Sequence, residues 1–208
     1  EVIADKGIWT AKKRYILNVH DSEGVRYAEP KLKMMGIEAV KSSTPQLCRD
    51  RIKEALHIIM NEDEQSVQKF IGDFQEEFSK QPFEVVAFPR GVSSLEPTIS
   101  TTGRNIGIPI HVRGSLVYND MINKKKLNRK YELIKNGEKI KFCYMKLPNP
   151  GRNNVIAIIN VLPAEFGLEK YIDYDLQFTK TFLEPIRLIL DSVGWKTEKQ
   201  NTLEALWQ

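Results

Sequence analysis

Cysteine and histidine are scarce in this 208-residue sequence, which has two cysteines and three histidines. Cys48 and Cys143 lie far apart in the chain, and their spacing does not match that of a structural zinc site. Two lone thiols suit a reducing compartment, and we interpret both as small buried hydrophobic residues. A catalytic Cys–His pair stays open as an alternative, although no local motif supports it.

Long apolar runs are also missing, since no window approaches the roughly 18 uncharged apolar residues that a membrane span needs. The first residues, EVIADKG, contain no basic segment and no apolar core, so no signal peptide is expected. The absent initiator Met indicates a chain cut from something longer. The composition, 41% hydrophobic and 28% charged, predicts a folded globular protein rather than a disordered one.

The familiar motifs of catalysis are absent as well. The sequence contains no phosphate-binding GxxxxGK[ST], no GxGxxG, no GxSxG and no HExxH. Asp21 and Glu23 belong to a predicted hairpin turn, and Asp173 and Asp175 precede a predicted helix, where acidic residues favour the positive end of the dipole. No pair of carboxylates therefore suggests general acid–base catalysis.

Charge is unevenly distributed, although the net charge is only +4. Residues 85–160 hold 13 basic and 4 acidic residues, whereas the segments on either side are net acidic. Such a run is either a solvated, lysine-rich surface or a surface that faces phosphates. Charge by itself does not decide between these two interpretations.

Residue patterns predict an α+β fold. Arg14–Val19 and Val25–Leu32 are β-rich and flank the turn residues Asp21–Gly24, which predicts a hairpin. A helix is predicted to follow, with Thr44 as its N-cap and Pro45 at its first position, and Asn61 is predicted to cap the next helix. Positions expected to be buried in these two helices are Cys48, Ile52, Ala55, Leu56, Ile59, Val67, Phe70, Ile71, Phe74 and Phe78.

The second half of the chain is predicted to mix strands and helices. A helix is expected after Arg113, and a helical stretch over Tyr174–Val193 should be kinked or split by Pro185 and stopped at Gly194. Three further strands are predicted at Phe83–Phe88, Lys139–Leu147 and Asn154–Leu162.

The segment Lys12-Lys13-Arg14-Tyr15 combines cations with an aromatic ring at the start of a predicted strand. Lysines on an edge strand can simply discourage unwanted pairing. On a regular strand, however, Lys13 and Tyr15 would share one face and Lys12 and Arg14 the other. Such a combination suits nucleic acid, because lysine reaches phosphates or minor-groove acceptors while the ring packs on a sugar.

Residues 7–45, GIWTAKKRYILNVHDSEGVRYAEPKLKMMGIEAVKSSTP, resemble the end of the palm and the start of the thumb in family B replicative DNA polymerases of T-even-like phages. A second patch, IPIHVRGSLVYN at 108–119, resembles the thumb motif of that family around His-x-Arg-Gly. The segments 89–107 and 120–140 and the PNPGRNN loop depart from the family pattern.

The resemblance implies a β-hairpin remnant of the palm over 1–41, a mainly helical thumb with small strands over 42–199, and a C-terminal tail over 200–208. It implies that the chain is a C-terminal fragment or a subunit of a DNA-directed DNA polymerase, a nucleotidyltransferase, and that it grips the primer–template duplex during DNA replication in the cytoplasm of the host cell. The DNA-binding residues that it implies are Lys12, Lys13, Arg14, Tyr15, Ser43, Thr44, His111 and Arg113. For Thr44, helix capping is an equally good explanation.

The metal-binding aspartates, the fingers and the editing exonuclease of that family lie in motifs absent from these 208 residues. No cofactor is therefore expected in this fragment, whereas Mg²⁺ is expected in the complete polymerase. The expected partners are primer–template DNA, the remainder of the polymerase and a sliding clamp. The alternatives are a freestanding, sequence-independent nucleic-acid-binding module and an unrelated enzyme or scaffold with a solvated basic loop.

The tail ends in TLEALWQ, where Leu203, Leu206 and Trp207 fall at i, i+3 and i+4 and would share one helical face. This face could fold back on the thumb core. The resemblance implies instead that it docks on the sliding clamp, although Ala205 stands where the family more often has a larger apolar residue.

Overall fold

The computed structural model describes residues 1–96 and 107–199. Contacts divide the chain into two compact units, the first made of Glu1–Lys80 with the segment from Phe178 onward and the second of Gln81–Gln177. The predicted α+β class is confirmed, because each unit combines helices with a three-stranded antiparallel sheet. The division into palm edge and thumb at residue 41 stays a prediction.

The sheet of the first unit has the order β1-β2-β3 and consists of Val2–Ala11, Arg14–Ser22 and Val25–Met35. The predicted hairpin is confirmed as β2 and β3, and Asp21 Oδ1 in its turn accepts a hydrogen bond of 3.0 Å from the Gly24 N–H. Strand β1 was not predicted, because Ile8 is its one buried residue and no alternation of apolar and polar residues marks it.

Helices α1 (Gln46–Asn61) and α2 (Glu64–Phe78) form where the apolar spacing predicts them, but their N-caps are not the predicted residues. The prediction that Thr44 caps α1 is wrong. The carbonyl of Pro45 accepts the first helical hydrogen bond, so Pro45 itself is the N-cap. Asp63 rather than Asn61 caps α2, since its side chain accepts a 2.8 Å hydrogen bond from the Ser66 N–H.

Four phenylalanines form the aromatic core of the first unit. Phe74 and Phe78 of α2 meet Phe178 and Phe182, with ring centroids 4.8–5.8 Å from that of Phe74. The prediction that the α2 stripe is buried is confirmed except at Phe70, which is partly exposed.

The second unit places its chain around a sheet of order β4-β5-β6. Its elements are α3 (Phe83–Val86), β4 (Phe88–Gly91), α4 (Ile110–Lys124), β5 (Lys139–Tyr144), β6 (Val155–Ile158) and α5 (Tyr174–Phe178). The predicted strand at Phe83–Phe88 is wrong over most of its length. Pro82 starts a single helical turn there, which the Ala87 N–H closes on the Phe83 carbonyl, so context overrides the β propensity of the two valines.

The last helical stretch is interrupted, as predicted, although the break lies before Pro185 rather than at it. A π-helical turn, Thr179–Leu183, lies between α5 and α6 (Glu184–Ser192), and Pro185 is the second residue of α6. Proline has no N–H to donate to the preceding turn, and the wider π turn accommodates that loss. Helix α6 ends before Gly194, whose φ of 77° is the left-handed conformation of a helix stop.

Both cysteines are buried and free, as predicted. Burial raises the pKa of the Cys48 thiol to about 11 and that of Cys143 well above its ordinary value. Both thiols are therefore protonated at neutral pH, which argues against a nucleophilic role.

Among residues 1–96 and 107–199, no group of three histidine, cysteine, aspartate or glutamate side chains could hold a metal ion. No helix in these ranges combines the length and apolar character needed to cross a membrane.

Candidate nucleic-acid interface

Lys12 and Lys13 form the turn that joins β1 to β2, and both are exposed. Lys13 has a φ of 62°, the left-handed conformation typical of a tight turn. The strand alternation predicted for this segment therefore begins only at Arg14, which pairs with Ala11 across the turn. The turn places both ammonium groups at the end of the first sheet rather than on opposite faces of it.

Arg14 lies beside the turn, but its guanidinium forms an ion pair with a carboxylate. Its Nη2 donates hydrogen bonds of 3.1 and 2.8 Å to the two oxygens of Glu38, which also accepts from Lys41. Burial raises the pKa of Glu38, but hydrogen bonds from Lys41 and the backbone, together with the charges of Arg14 and Lys41, hold it below its ordinary value. Arg14 thus connects β2 to the segment that leads into α1.

Tyr15 lies in the middle of an exposed cross-strand row. It pairs with Trp9 of β1 on one side and with Met35 of β3 on the other. The two flanking side chains are 64% and 46% exposed, so this end of the sheet presents apolar and aromatic surface to solvent. The row lies one residue beyond Arg14 and close to the lysine turn.

Ser43 and Thr44 precede α1, as the KSSTP pattern implies. Thr44 is only 5% exposed, so its hydroxyl offers little surface to a ligand. Ser43 is half-buried and Ser42 is exposed. No side chain caps α1.

In the second unit, His111 and Arg113 lie on the first turn of α4, which begins at Ile110 rather than after Arg113 as predicted. Arg113 Nη2 donates a 2.8 Å hydrogen bond to Asn154 Oδ1, while its enclosed Nε has no hydrogen-bond partner among the described residues. Pro109 is the N-cap, and no side chain caps the helix. The first N–H groups of α4 therefore add to the positive potential of these two side chains.

Gly114 explains why α4 can approach the sheet at this point. A Cβ on Gly114 would lie 3.0 Å from the nitrogen of Ala157 and 3.1 Å from the carbonyl carbon of Ile156 in β6. Because a larger residue would push the helix away, the glycine of the His-x-Arg-Gly pattern brings its neighbours close to the sheet.

Arg90 of β4 belongs to the same site and was not predicted. Burial and the charge of Arg90 together lower the pKa of His111. The guanidinium of Arg90 also lies 5.7 Å from the ring centroid of Phe88. The ring of Phe88 stacks on that of Phe142, and the ring centroids of Phe142 and His111 are 6.4 Å apart. In the sequence, Arg90 is marked only by its position in the basic segment 85–160. Strand pairing in the folded unit is what brings β4 close to α4.

Leu203, Leu206 and Trp207, the predicted clamp-binding residues, lie outside the described residues. The residues predicted to bind DNA are divided between the units: Lys12, Lys13, Arg14, Tyr15, Ser43 and Thr44 lie in the first unit, and His111 and Arg113 in the second.

The amino-acid sequence of this chain is similar to those of known proteins over nearly its whole length. The chain is 31% identical over 205 residues to the DNA-directed DNA polymerase of Enterobacteria phage T4, an alignment that covers 97% of this chain. This chain is similar to phage DNA polymerases. It is also 32% identical over 203 residues, or 95% of its length, to the DNA-directed DNA polymerase of Escherichia phage RB69.

The resemblance inferred from the residue motifs is thus confirmed over nearly the whole chain. The chain spans 22% of the length of each of these two phage polymerases. No family model matches it.

Proposed function

We propose that this chain is the part of a family B DNA-directed DNA polymerase that holds the primer–template duplex during replication. The observation that carries the proposal is its similarity, over 95% or more of its length, to two phage DNA-directed DNA polymerases. In this proposal, residues 1–41 are the edge of the palm and residues 42–199 are the thumb. The partners are the duplex and the rest of the polymerase, namely palm, fingers and exonuclease.

The described residues do not fit the Mg²⁺ site of a polymerase, since no cluster of carboxylates capable of holding a metal is found among them. In the complete enzyme the Mg²⁺ ions belong to the remainder of the polymerase, and this chain contributes binding rather than chemistry. A polymerase must hold every DNA sequence equally well. Contacts with phosphates, sugars and the acceptors shared by all minor-groove base pairs meet that requirement.

At the end of the first sheet, Lys12 and Lys13 are suited to phosphates or minor-groove acceptors, with Tyr15 beside them for packing on a sugar. Neither lysine has an ion-pair partner among the described residues. Arg14 acts in a different way, because the hydrogen bonds from its Nη2 to both carboxylate oxygens of Glu38 anchor the strand that carries Tyr15. In the second unit, His111, Arg113 and the first N–H groups of α4 provide a site for a backbone phosphate.

We expect the chain to bind duplex DNA weakly, without sequence preference, and less tightly as salt rises. Each lost phosphate contact should reduce the log–log salt slope by about 0.9, because a bound cation displaces condensed counterions. Lys13→Ala should therefore weaken duplex binding and reduce the magnitude of the log–log salt slope by about 0.9, the value for one phosphate contact. Fluorescence anisotropy with a labelled primer–template at several salt concentrations measures both quantities.

Lys69→Ala is the matched control for this titration, since Lys69 is an exposed lysine of the same unit that already pairs with Asp73 at 2.6 Å. It removes the same net charge but should leave the slope unchanged. An affinity that does not depend on salt, or a strong preference for one sequence, would contradict the proposal. A slope that depends on net charge alone would contradict the role of Lys13.

Duplex binding should also depend on pH through His111. Burial and Arg90 hold the pKa of His111 below its ordinary value, so the free chain carries a neutral imidazole at pH 7. A phosphate beside the ring favours the imidazolium and raises the pKa, so binding takes up a proton and strengthens as pH falls. A rise of about one unit corresponds to about tenfold in affinity.

The pH effect on folding has the opposite sign. Because the folded pKa of His111 lies below its unfolded value, its contribution to stability is present above about pH 6.5 and is lost as pH falls through the folded pKa.

Two histidine variants test the pH dependence of duplex affinity. His111→Gln should remove that dependence, whereas His57→Gln, which changes an exposed histidine of α1, should retain it. Equal pH profiles for the two variants would contradict the assignment.

We propose further that the tail docks on a sliding clamp through Leu203, Leu206 and Trp207. An aromatic anchor with two leucines on one helical face suits a peptide that binds in a groove. Truncation after Gln200 should abolish pull-down by the cognate clamp while leaving duplex affinity unchanged. If the truncation instead unfolds the protein, the tail belongs to the core and the clamp proposal fails.

A further inference from the structure

Trp9 is the most exposed of the large hydrophobic residues on the first sheet. Its neighbour Ile8 and the cross-strand partner Ile16 are buried on the face of the sheet that contributes to the core. Successive residues of a strand alternate between faces, so Trp9 and Tyr15 lie on the opposite face. We call this the outer face, and define its basic end by the rows Trp9–Tyr15–Met35 and Gly7–Leu17–Lys33.

The indole of Trp9 is held against the sheet rather than extended into solvent. A Cβ on Gly7 would lie 2.6 Å from both Cη2 and Cζ3 of Trp9, and 2.9 Å from Cδ2 of Leu17. The six-membered ring therefore occupies the space above Gly7, which a side chain would fill. Glycine at this position lets a tryptophan that is 64% exposed adopt a defined place on the sheet.

The charged residues of these two rows and of the adjoining turn are all basic. Lys12 and Lys13 lie at the turn beyond Trp9, and Lys33 lies across from Leu17. The two rows at the basic end contain no acidic residue, and none of the three lysines forms an ion pair among the described residues. A rigid aromatic surface surrounded by unpaired cations complements a polyanion with apolar sugar surface better than it complements an acidic protein surface.

We infer that Trp9 is a DNA-contacting residue whose indole packs against a deoxyribose of the duplex held by Lys12 and Lys13. This inference rests on the proposed function and adds an apolar contact to its electrostatic ones. A sugar contact suits a polymerase, because it is the same at every base pair and carries no sequence information. Tryptophan is suited to it, since its large ring has few rotatable bonds to immobilise on binding.

A single-tryptophan chain provides a direct test. The protein has three tryptophans, so Trp195→Phe with Trp207→Phe leaves Trp9 as the sole indole emitter. Acrylamide quenching is measured during titration with a primer–template duplex, alongside the anisotropy of the labelled duplex. The accessibility of Trp9 should fall with the same midpoint as the rise in anisotropy.

Substitution separates this contact from the lysine contacts. Trp9→Ala should weaken duplex affinity by about tenfold without changing the salt slope, because an apolar contact releases no counterions. Gly7→Ala should weaken it as well, since the added methyl group displaces the ring. Val25→Ala is the matched control, because Val25 is 61% exposed at the opposite end of the same sheet and should leave affinity unchanged.

The outcomes distinguish this inference from the function on which it rests. A parent chain that fails to bind duplex at low salt overturns both. Duplex binding with undiminished quenching of Trp9 overturns the inference and leaves the proposed function intact. Protection of Trp9 by the remaining polymerase chain in the absence of DNA also overturns it and identifies the outer face as a protein interface. If Trp9→Ala fails to fold, the quenching titration of the single-tryptophan chain decides.

Discussion

The purified 208-residue chain is expected to incorporate no nucleotide when supplied with primer–template, dNTPs and Mg²⁺. Nucleotidyl transfer in family B polymerases depends on metal-binding aspartates whose motifs are absent from this sequence. Without carboxylates to hold two Mg²⁺ ions, neither the attacking nor the leaving oxygen is stabilised. Primer extension resolved on a denaturing gel measures the result, and extension by the purified chain would refute the proposal outright.

Activity should appear when a chain carrying the rest of the palm is added. In that complex, Lys13→Ala and Tyr15→Ala should lower processivity and mismatch discrimination while the chemical step persists, because the role proposed for both residues is to hold duplex rather than reacting groups. The complementing chain by itself is the control, since extension at the full rate without this chain would remove any need for a duplex-holding role. Single-turnover kinetics separate the two effects, because chemistry and dissociation are then measured independently.

Phe74→Ala is expected to lower the free energy of unfolding of the first unit by about 3–5 kcal/mol. Phe74 is 2% exposed, and its ring meets those of Phe78, Phe178 and Phe182 edge to face. Alanine would leave a cavity among three rings that are fixed by two different segments of the chain. Urea denaturation followed by circular dichroism measures the change, which is a large part of the total stability of a typical domain.

Phe70→Ala serves as the comparison, because it removes the same side chain from the same helix at a partly exposed position. The ring of Phe70 lies 6.5 Å from that of Phe182. Its loss should cost about 1 kcal/mol, since little new cavity forms. Equal shifts in the urea midpoint for the two variants would show that the aromatic cluster does not form the core of this unit.

Local patterns in the sequence were sufficient for several elements. The buried apolar residues of α1 and α2 repeat at helical spacing over about four turns. The turn-forming residues Asp21–Gly24 lie between two β-rich runs, which form the hairpin. Both signals depend on neighbours in the chain. The resemblance to phage polymerases was also readable from sequence, because the KKRY and EGVRYAEPKLK motifs are consecutive residues.

Other features depended on pairing between distant segments and could not be predicted. Strand β1 has few buried residues, so its pairing with β2 rather than its composition makes it a strand. The helical turn at Phe83–Val86 contradicts local β propensity, and side chains from distant segments hold it: Lys141 and Gln177 donate hydrogen bonds to the carbonyls of Glu84 and Val86. The caps of α1 and α2 differed from prediction by one or two residues, because several neighbouring residues could fill each cap.

The sequence by itself determined the α+β class, the helical stripes and the similarity to phage DNA polymerases, since these reside in short-range spacing and in motifs of adjacent residues. The tertiary structure decided which cations are open to a ligand. Arg14 is bound to Glu38, whereas Lys12 and Lys13 lie exposed in a turn. Only tertiary packing brings Arg90 close enough to His111 to lower the pKa of the imidazole. The physical reason is that burial and electrostatic interaction depend on distance in space, which chain spacing does not specify across strands and units.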